Sequence, residues 1–176
     1  FRNCSNLTSV TIPPSVAIIE SQSFLWCKNL NAVHISDLAA WCGISFQYTS
    51  DVFNYGARLY LNGEEVSDLV IPDGVASIGS WSFMKCSQLT SVTIPESVTS
   101  IGKGAFSSCT GLKSITIPDG VTSIGYDAFY GCSGLTSITI PDGVTGIGDR
   151  AFFHCSHLTS ITIPKSVTSI GNNARS

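Results

Sequence analysis

The feature that most limits what this chain can become is a 23-residue stretch that keeps returning. It reads most plainly as Leu112-Lys-Ser-Ile-Thr-Ile-Pro-Asp-Gly-Val-Thr-Ser-Ile-Gly-Tyr-Asp-Ala-Phe-Tyr-Gly-Cys-Ser-Gly134. It recurs with few changes from Leu89, Leu135 and Leu158, and more loosely from Leu7, Leu30 and Val66. A fixed period of this size is the mark of a solenoid or an array. One unit cannot bury its own apolar face, whereas stacked units share a continuous core.

The unit beginning at Leu89 shows the logic. Leu89, Val92 and Ile94 fit the pattern L-x-x-L-x-L and face inward, while Ser91 and Thr93 face the other way because strand side chains alternate. Pro95 has no N–H and ends the strand, and the Pro-Asp-Gly runs at Pro72, Pro118 and Pro141 are turn chemistry. A second β-branched run, Val98 to Ile101, also alternates. Gly102 closes it and recurs as Gly79, Gly125, Gly148 and Gly171, which predicts either a positive φ or a close backbone approach. Ala105-Phe106-x-x-Cys109 is too short for a full helix and reads as one 3₁₀ or α turn.

Stacking such units predicts ladders of like residues. Phe24, Phe83, Phe106, Phe129 and Phe152 make one. Cys4, Cys27, Cys86, Cys109, Cys132 and Cys155 make another, so six of the seven cysteines share one repeat position. Disulfides between them would break the equivalence of the units and leave odd members. Free cysteine behaves as a small hydrophobe, so buried, reduced thiols are expected. Cys42, outside the ladder, is expected to pack under a helix.

One unit departs from the rest. Its strand, Leu30 to Ile35, is regular, but Ser36 stands where proline belongs. Ser36-Asp37 looks like a helix N-cap before Leu38-Ala-Ala-Trp41-Cys42. An irregular stretch from Gly43 to Gly56 follows. Arg58 to Leu61, Asn62-Gly63 and the run from Glu64 to Ile71 then read as a β-hairpin, Asn-Gly being the strongest two-residue hairpin signal. Ile35 to Ile71 is 36 residues, 13 more than the period.

The recurring L-T-S-[VI]-T-I-P-x-[GS]-V-T-x-I-G-x-x-[AS]-F-x-x-C resembles the BspA-type leucine-rich repeat of bacterial surface proteins, over nearly the whole chain. The expanded unit, with His34-Ile-Ser-Asp-Leu-Ala-Ala-Trp41-Cys42 and Leu59-Tyr-Leu-Asn-Gly63, resembles a variant found inside such arrays. The resemblance implies a curved solenoid, a cell-surface or secreted location, and binding of host matrix or plasma proteins or of other cell-surface proteins. It supplies no catalytic activity and no individual binding residue.

The expected fold is therefore a right-handed leucine-rich repeat solenoid, mainly β, with two parallel sheets, short 3₁₀ or α turns and one expanded coil. It forms a single unit over residues 1–176, irregular at about 30–65 and regular over 66–176. The chain starts and stops in mid-repeat: Phe1 to Asn6 aligns with Phe24 to Asn29, and Arg175 replaces the phenylalanine expected there. A fragment of a longer protein is the reading, with uncapped ends able to associate end to end.

Charged residues are only 12% of the chain and the net charge is −3, which argues against nucleic acid or an anionic membrane as partner. No apolar run is long enough to span a bilayer. His154-Cys155-Ser-His157 superficially matches metal-ligand spacing, but Cys155 belongs to the buried ladder and His157 to a solvent-facing turn, so neither a metal nor a Cys–His nucleophile is expected. No cofactor motif is present. The Ser-x-Thr rows, Ser91/Thr93 and their equivalents, could form hydroxyl arrays resembling those of ice-binding solenoids; solubility and β-propensity explain them as well.

The expanded coil is the expected binding region. Uniform Ser/Thr rows give way beside it to Ala32/His34 and Asp68/Val70, and it carries Trp41, Phe46, Tyr48, Phe53, Tyr55 and Tyr60. Trp41, Phe46 and Phe53 are expected to fill a local core. His34, Asp68, Tyr48, Tyr55 and Tyr60 are the candidate contact residues, on the concave face, for a protein partner. The competing reading is an architectural spacer, with binding done elsewhere in a longer protein.

Overall fold

Most units contribute two short strands that pair with their equivalents one unit away, and in the last two units the first strand is reduced to single bridges at Thr139 and Thr162. In the computed structural model, which describes residues 1–48 and 52–174, the first coil carries β1 (Ser9–Thr11) and β2 (Ile18–Ile19). The expanded region carries β3 (Ala32–Ile35), the helix α1 (Leu38–Cys42), β4 (Ser45–Phe46), β5 (Arg58–Leu61) and β6 (Glu64–Glu65). The regular coils supply β7 (Asp68–Val70), β8 (Ser77–Ile78), β9 (Ser91–Thr93), β10 (Ser100–Ile101), β11 (Ser114–Thr116), β12 (Ser123–Ile124), β13 (Gly146–Ile147) and β14 (Ser169–Ile170). The chain is a parallel β-solenoid, and α1 is the one helix among the described residues.

Pairing is in register at the repeat period. Ser91, Val92 and Thr93 lie beside Ser114, Ile115 and Thr116, and the file continues through Thr139 and Thr162. The second-strand file runs β8-β10-β12-β13-β14. Inward residues are almost wholly enclosed: Leu89, Leu112, Val98 and Val121 are 0% exposed. Phe83, Phe106, Phe129 and Phe152 stack at 5.4, 5.7 and 5.4 Å between ring centroids, each pair within 5° of parallel. All share one core that runs the length of the described chain.

The ladder reading needs two corrections. Phe24 does not join the other four; it stacks on Phe1 at 5.4 Å. Between Phe24 and Phe83 the expanded coil inserts Trp41, packed edge-on against Phe46 and Phe53, so the file of parallel rings is interrupted. Cys4, the outermost described rung, is exposed; Cys27, Cys86, Cys109, Cys132 and Cys155 are buried as expected.

All seven cysteines are free thiols. The ladder is more than apolar filling: Cys109, Cys132 and Cys155 each donate S–H to the phenylalanine carbonyl of the preceding coil, at 3.1 Å from Phe83, Phe106 and Phe129. Cys27 does the same to Phe1. Cys86, which follows the expanded coil, donates instead to Gln88 at 3.4 Å.

The Ala-Phe segments close single i→i−3 turns, as from Met84 N–H to the Trp81 carbonyl and from Ser107 N–H to the Gly104 carbonyl, and do not continue as helix. Two positions in each carry positive φ, as at Trp81 and Lys85, Gly104 and Ser108, Asp127 and Gly131, or Arg150 and His154. This left-handed geometry turns alternate amides toward the neighbouring coil. Trp81, Phe83 and Lys85 donate to Lys103, Ala105 and Ser107, and Gly104, Phe106 and Ser108 repeat the pattern to Tyr126, Ala128 and Tyr130. A third hydrogen-bonded file thus runs along this turn face. The closing glycines meet the close-approach alternative instead: a Cβ at Gly102 would lie 2.7 Å from the Ser80 nitrogen and 2.8 Å from the Ile78 oxygen.

The expanded region resolves into two parts. Val33 pairs with Leu59, 26 residues on, so the first part is a slightly long coil containing α1. Asp37, rather than Ser36, caps that helix by accepting from the Ala40 amide at 2.9 Å. Ser45 and Phe46 then pair with Ile18 and Ile19 as any second strand would. The second part is the β5–β6 hairpin, antiparallel with Tyr60 opposite Glu65, and turned at Asn62 (φ 52°) and Gly63 (φ 90°). The hairpin strand ends at Glu65, and β7 starts a different sheet.

Both strand files are therefore cut at one place. The first splits into β1-β3-β5-β6 and β7-β9-β11, the second into β2-β4 and the five strands from β8. Among the described residues, a single backbone hydrogen bond crosses this plane, from Gly79 N–H to the Cys42 carbonyl. Side chains span the rest. Trp41, 1% exposed, donates its indole N–H to the Ser82 carbonyl at 3.1 Å, and Lys85 reaches Asn54. Trp41, Phe46 and Phe53 form the local core anticipated for them.

Candidate functional site

The first-strand sheet changes character at the cut. Thr93 and Thr116 face outward on β9 and β11 with Ser91 and Ser114 beside them. On β3 and β5 the equivalent row is His34 next to Tyr60, whose rings stack at 4.9 Å. Across the hairpin Tyr60 faces Glu65, and Arg58 holds Glu65 at 2.6 Å. On β7, Asp68 accepts from the hydroxyls of Ser91 (2.6 Å) and Thr90 (2.9 Å), and these bonds hold its carboxyl below the usual carboxylate range. Val70 occupies the place of the threonines and is 63% exposed. His34 and Tyr60 thus share one row on adjacent strands, and Asp68 lies in the neighbouring row on β7, across the cut.

The other two candidates lie on other sides of the coil. Tyr48 follows the second strand β4, is 65% exposed and packs against Trp81 at 5.1 Å. Tyr55 is half-buried, and its hydroxyl accepts from the Trp26 amide at 3.1 Å. The structure brings His34 and Tyr60 into contact; it does not bring Tyr48 or Tyr55 to them. Thr49, Ser50 and Asp51 of the same stretch, and Arg175 and Ser176 at the end, lie outside the described residues.

Beside the hairpin is a notch of about 430 Å³ between β6 and β7, with Leu61, Val66, Leu69 and Val70 on its walls and Glu64, Glu65 and Asp68 at its edge. It continues past the hairpin tip toward Asp37 and Leu38 of α1.

A second concavity, of about 260 Å³, lies on the turn face between Tyr48, Trp81, Lys85, Asp127, Tyr130 and Arg150. Arg150 lies over the rings of Tyr126 and Tyr130, at 4.8 and 5.4 Å, and pairs with Asp127 at 2.7 Å. Asp127 is 7% exposed with Oδ1 lacking a partner, and burial raises its pKa despite Arg150. Aromatic faces beside fixed cations suit a small polar ligand with an apolar side. Sequence reading passed over this cleft. The signal was available: the variable positions flanking Ala-Phe carry Trp81, Lys85, Tyr126, Tyr130 and Arg150, and they fall on one face once the units stack.

Among the described residues no three His, Cys, Asp or Glu side chains converge as metal ligands. His157 is engaged by the Ser133 carbonyl, and His154 packs against Phe153. No helix in the described residues is long and apolar enough to cross a membrane.

A period of 23 residues, L-x-x-L-x-L strands and parallel in-register stacking define a leucine-rich repeat solenoid. The chain belongs to the BspA-type leucine-rich repeat family, whose model matches six copies over residues 1–51 and 55–176. No curated protein matches it significantly. Among solved structures it is similar to a T. pallidum leucine-rich repeat protein (28% identity, TM-score 0.61), covering 93% of this chain and 73% of that one. A leucine-rich repeat protein from Bacteroides ovatus is 25% identical with TM-score 0.53, over 99% of this chain and 47% of the other. The pneumococcal vaccine antigen PcpA shares the fold at 19% identity and TM-score 0.63, over 95% and 55%. The chain thus spans about half the length of two of these structures. Repeats of this kind are generally scaffolds without catalytic activity, and they generally mediate protein interactions.

Proposed function

We propose that this chain is a non-enzymatic interaction module of a bacterial cell-surface or secreted protein, which adheres to a host matrix or plasma protein or to a protein of another cell. The observation that carries this reading is the replacement of the uniform Ser/Thr row, beside the expanded coil alone, by stacked His34 and Tyr60, Asp68 and exposed Val70. An aromatic pair beside directional hydrogen-bonding groups is the composition of an interface hot spot, which hydroxyl rows are not. His34, Tyr60 and Asp68 form the primary contact, with Tyr48 belonging to the turn-face cleft and Tyr55 anchoring the hairpin coil to Trp26. A surface location is supported by the family and by the similar structure titled a leucine rich cell surface protein from Faecalibacterium prausnitzii, 29% identical with TM-score 0.50 over 96% of this chain and 57% of that one.

The test is to display the chain on a non-adherent bacterium and measure attachment to immobilised matrix and plasma proteins. The variant His34→Thr/Tyr60→Thr restores the residue type of the regular coils and keeps the strands. Loss of attachment with an unchanged melting temperature supports the module. Attachment equal to wild type, or none by the wild-type chain, makes the array a spacer.

A further inference from the structure

The notch between β6 and β7 has the backbone chemistry of an unfinished sheet. Ser67 accepts from the Thr90 amide and Ile71 donates to the Thr93 carbonyl, so the odd-numbered residues of this strand turn their main chain toward β9. Asp68 and Val70 therefore present N–H and C=O away from β9, toward the space that β5 would fill in a regular stack. The hairpin holds β5 off. Its second strand pairs back onto β5 through Tyr60–Glu65 and Leu61–Glu64, and the sheet order places no strand on the outer side of β7. Among the described residues no backbone hydrogen bond reaches those groups from the hairpin.

The walls of the notch say what could occupy it. Leu61, Val66 and Leu69 make an apolar floor, and Val70 is an exposed apolar side chain where the regular coils carry threonine. The edge is acidic: Glu64, Glu65 and Asp68 surround the notch and Asp37 stands at its far end, against one cation, Arg58, already paired with Glu65. Asp68 is held ionised by the Thr90 and Ser91 hydroxyls. A charge excess this local, in a chain of which only 12% is charged, selects the partner by sign.

We infer that the β6–β7 notch takes an extended, basic segment of the partner protein, which adds a strand to the outer edge of β7. The segment's main chain completes the hydrogen bonds of Asp68 and Val70. Its apolar side chains enter the notch and alternate Lys or Arg side chains meet Asp68, Glu64 and Glu65. This is strand addition with alternate-residue pockets. It rests on the interaction-module reading and specifies the partner at that surface.

The test uses a fluorescent, end-blocked decapeptide alternating lysine and valine, followed by anisotropy with the whole chain. Three comparisons decide. A glutamate–valine peptide should bind at least about a hundredfold more weakly, because it meets like charge at three carboxylates. A lysine–valine peptide N-methylated on alternate backbone nitrogens should lose about tenfold through its missing donors. The protein variant Asp68→Ser/Val70→Thr, which restores regular-coil residues, should also lose about tenfold. Equal binding of the N-methylated peptide would reduce the interaction to charge adsorption and overturn strand addition. Equal binding by the protein variant would overturn the site. If wild type ignores the lysine peptide while His34→Thr/Tyr60→Thr still abolishes surface attachment, the notch proposal falls and the interaction module stands.

Discussion

At the level of single residues, the cysteine ladder is where chemistry and packing meet. Six cysteines at one repeat position were legible as a buried file, since a small hydrophobe recurring beside a buried phenylalanine has nowhere else to go. That Cys27, Cys109, Cys132 and Cys155 also donate to the previous coil was not, because Phe83 is 26 residues from Cys109, three more than the period, and the offset exists only once the turn geometry is known. The Phe83 carbonyl also takes the Cys86 amide at 3.0 Å. Cys109→Ser keeps a donor at this position and should cost about 1 kcal/mol or less, whereas Cys109→Ala loses the hydrogen bond and leaves a small void, about 1–2 kcal/mol. Urea unfolding of the two variants checks this; an alanine variant as stable as the serine one shows the S–H contact to be idle. The ladder also predicts an alkaline limit. Burial pushes Cys155 from its ordinary 9.0 up to about 11, and burial with the Asp37 charge pushes Cys42 up to about 12. Burial also raises Cys86, Cys109 and Cys132. The folded state keeps protons that the unfolded chain releases, so stability is whole below pH 9.0 and falls as pH rises toward these folded values. Each thiol contributes up to about 1.4 kcal/mol per pH unit in that window. Unfolding midpoints that stay level between about pH 8 and pH 10 would contradict the burial of these thiols.

At the level of elements, the strands, the helix cap and the hairpin were legible because each has local chemistry: alternation, an Asx cap, Asn-Gly. The Ala-Phe segments were legible as single turns, but their left-handed positions were not. Their length fits one turn of helix, and nothing in Trp81, Lys85, Ser108 or Arg150 advertises a positive φ, which non-glycine residues adopt here because amide bonds to the next coil repay it. Tight spacing between coils can be tested at the closing glycines. Gly102→Ala puts a methyl against the backbone of Ser80 and Ile78, which cannot yield without parting two coils, so a loss of about 2–3 kcal/mol is expected. An alanine variant with wild-type stability would mean the coils are not packed at this distance. The candidate contact residues were only partly placed by sequence. Register ties His34 to Tyr60, but Tyr48 and Tyr55 follow a loop whose path depends on where α1 and β4 dock.

For the whole molecule, the period gives length and stacking order, and the one aperiodic coil decides how the two parts cohere. Stability in a stacked array is a sum over units and their interfaces, so the weakest interface sets where cooperativity breaks. Here that interface lies between the hairpin coil and β7, crossed among the described residues by one backbone bond and closed by Trp41. Trp41→Ala should cost about 3–5 kcal/mol at this interface. It should also separate unfolding into two transitions, with amides of residues 9–35 exchanging before those of residues 89–147. A single transition in the variant, with uniform exchange, would mean coupling runs by another route. Trp41→Phe keeps much of the volume and loses the bond to Ser82, so an intermediate effect is expected.

The cut through both strand files has a mechanical meaning. When a surface-bound array is pulled along its axis, load passes from coil to coil through files of hydrogen bonds that must stretch together. At the plane between β6 and β7, among the described residues, a single backbone bond replaces those files, and tension falls mostly on packed side chains, which slide apart at lower force. Tethered at its two ends in an optical trap, the chain should yield first at this plane, into two pieces that keep their coils. Tugging would then widen the notch while the regular coils hold their shape, so the strand addition proposed there would depend on how hard the two ends are being drawn apart.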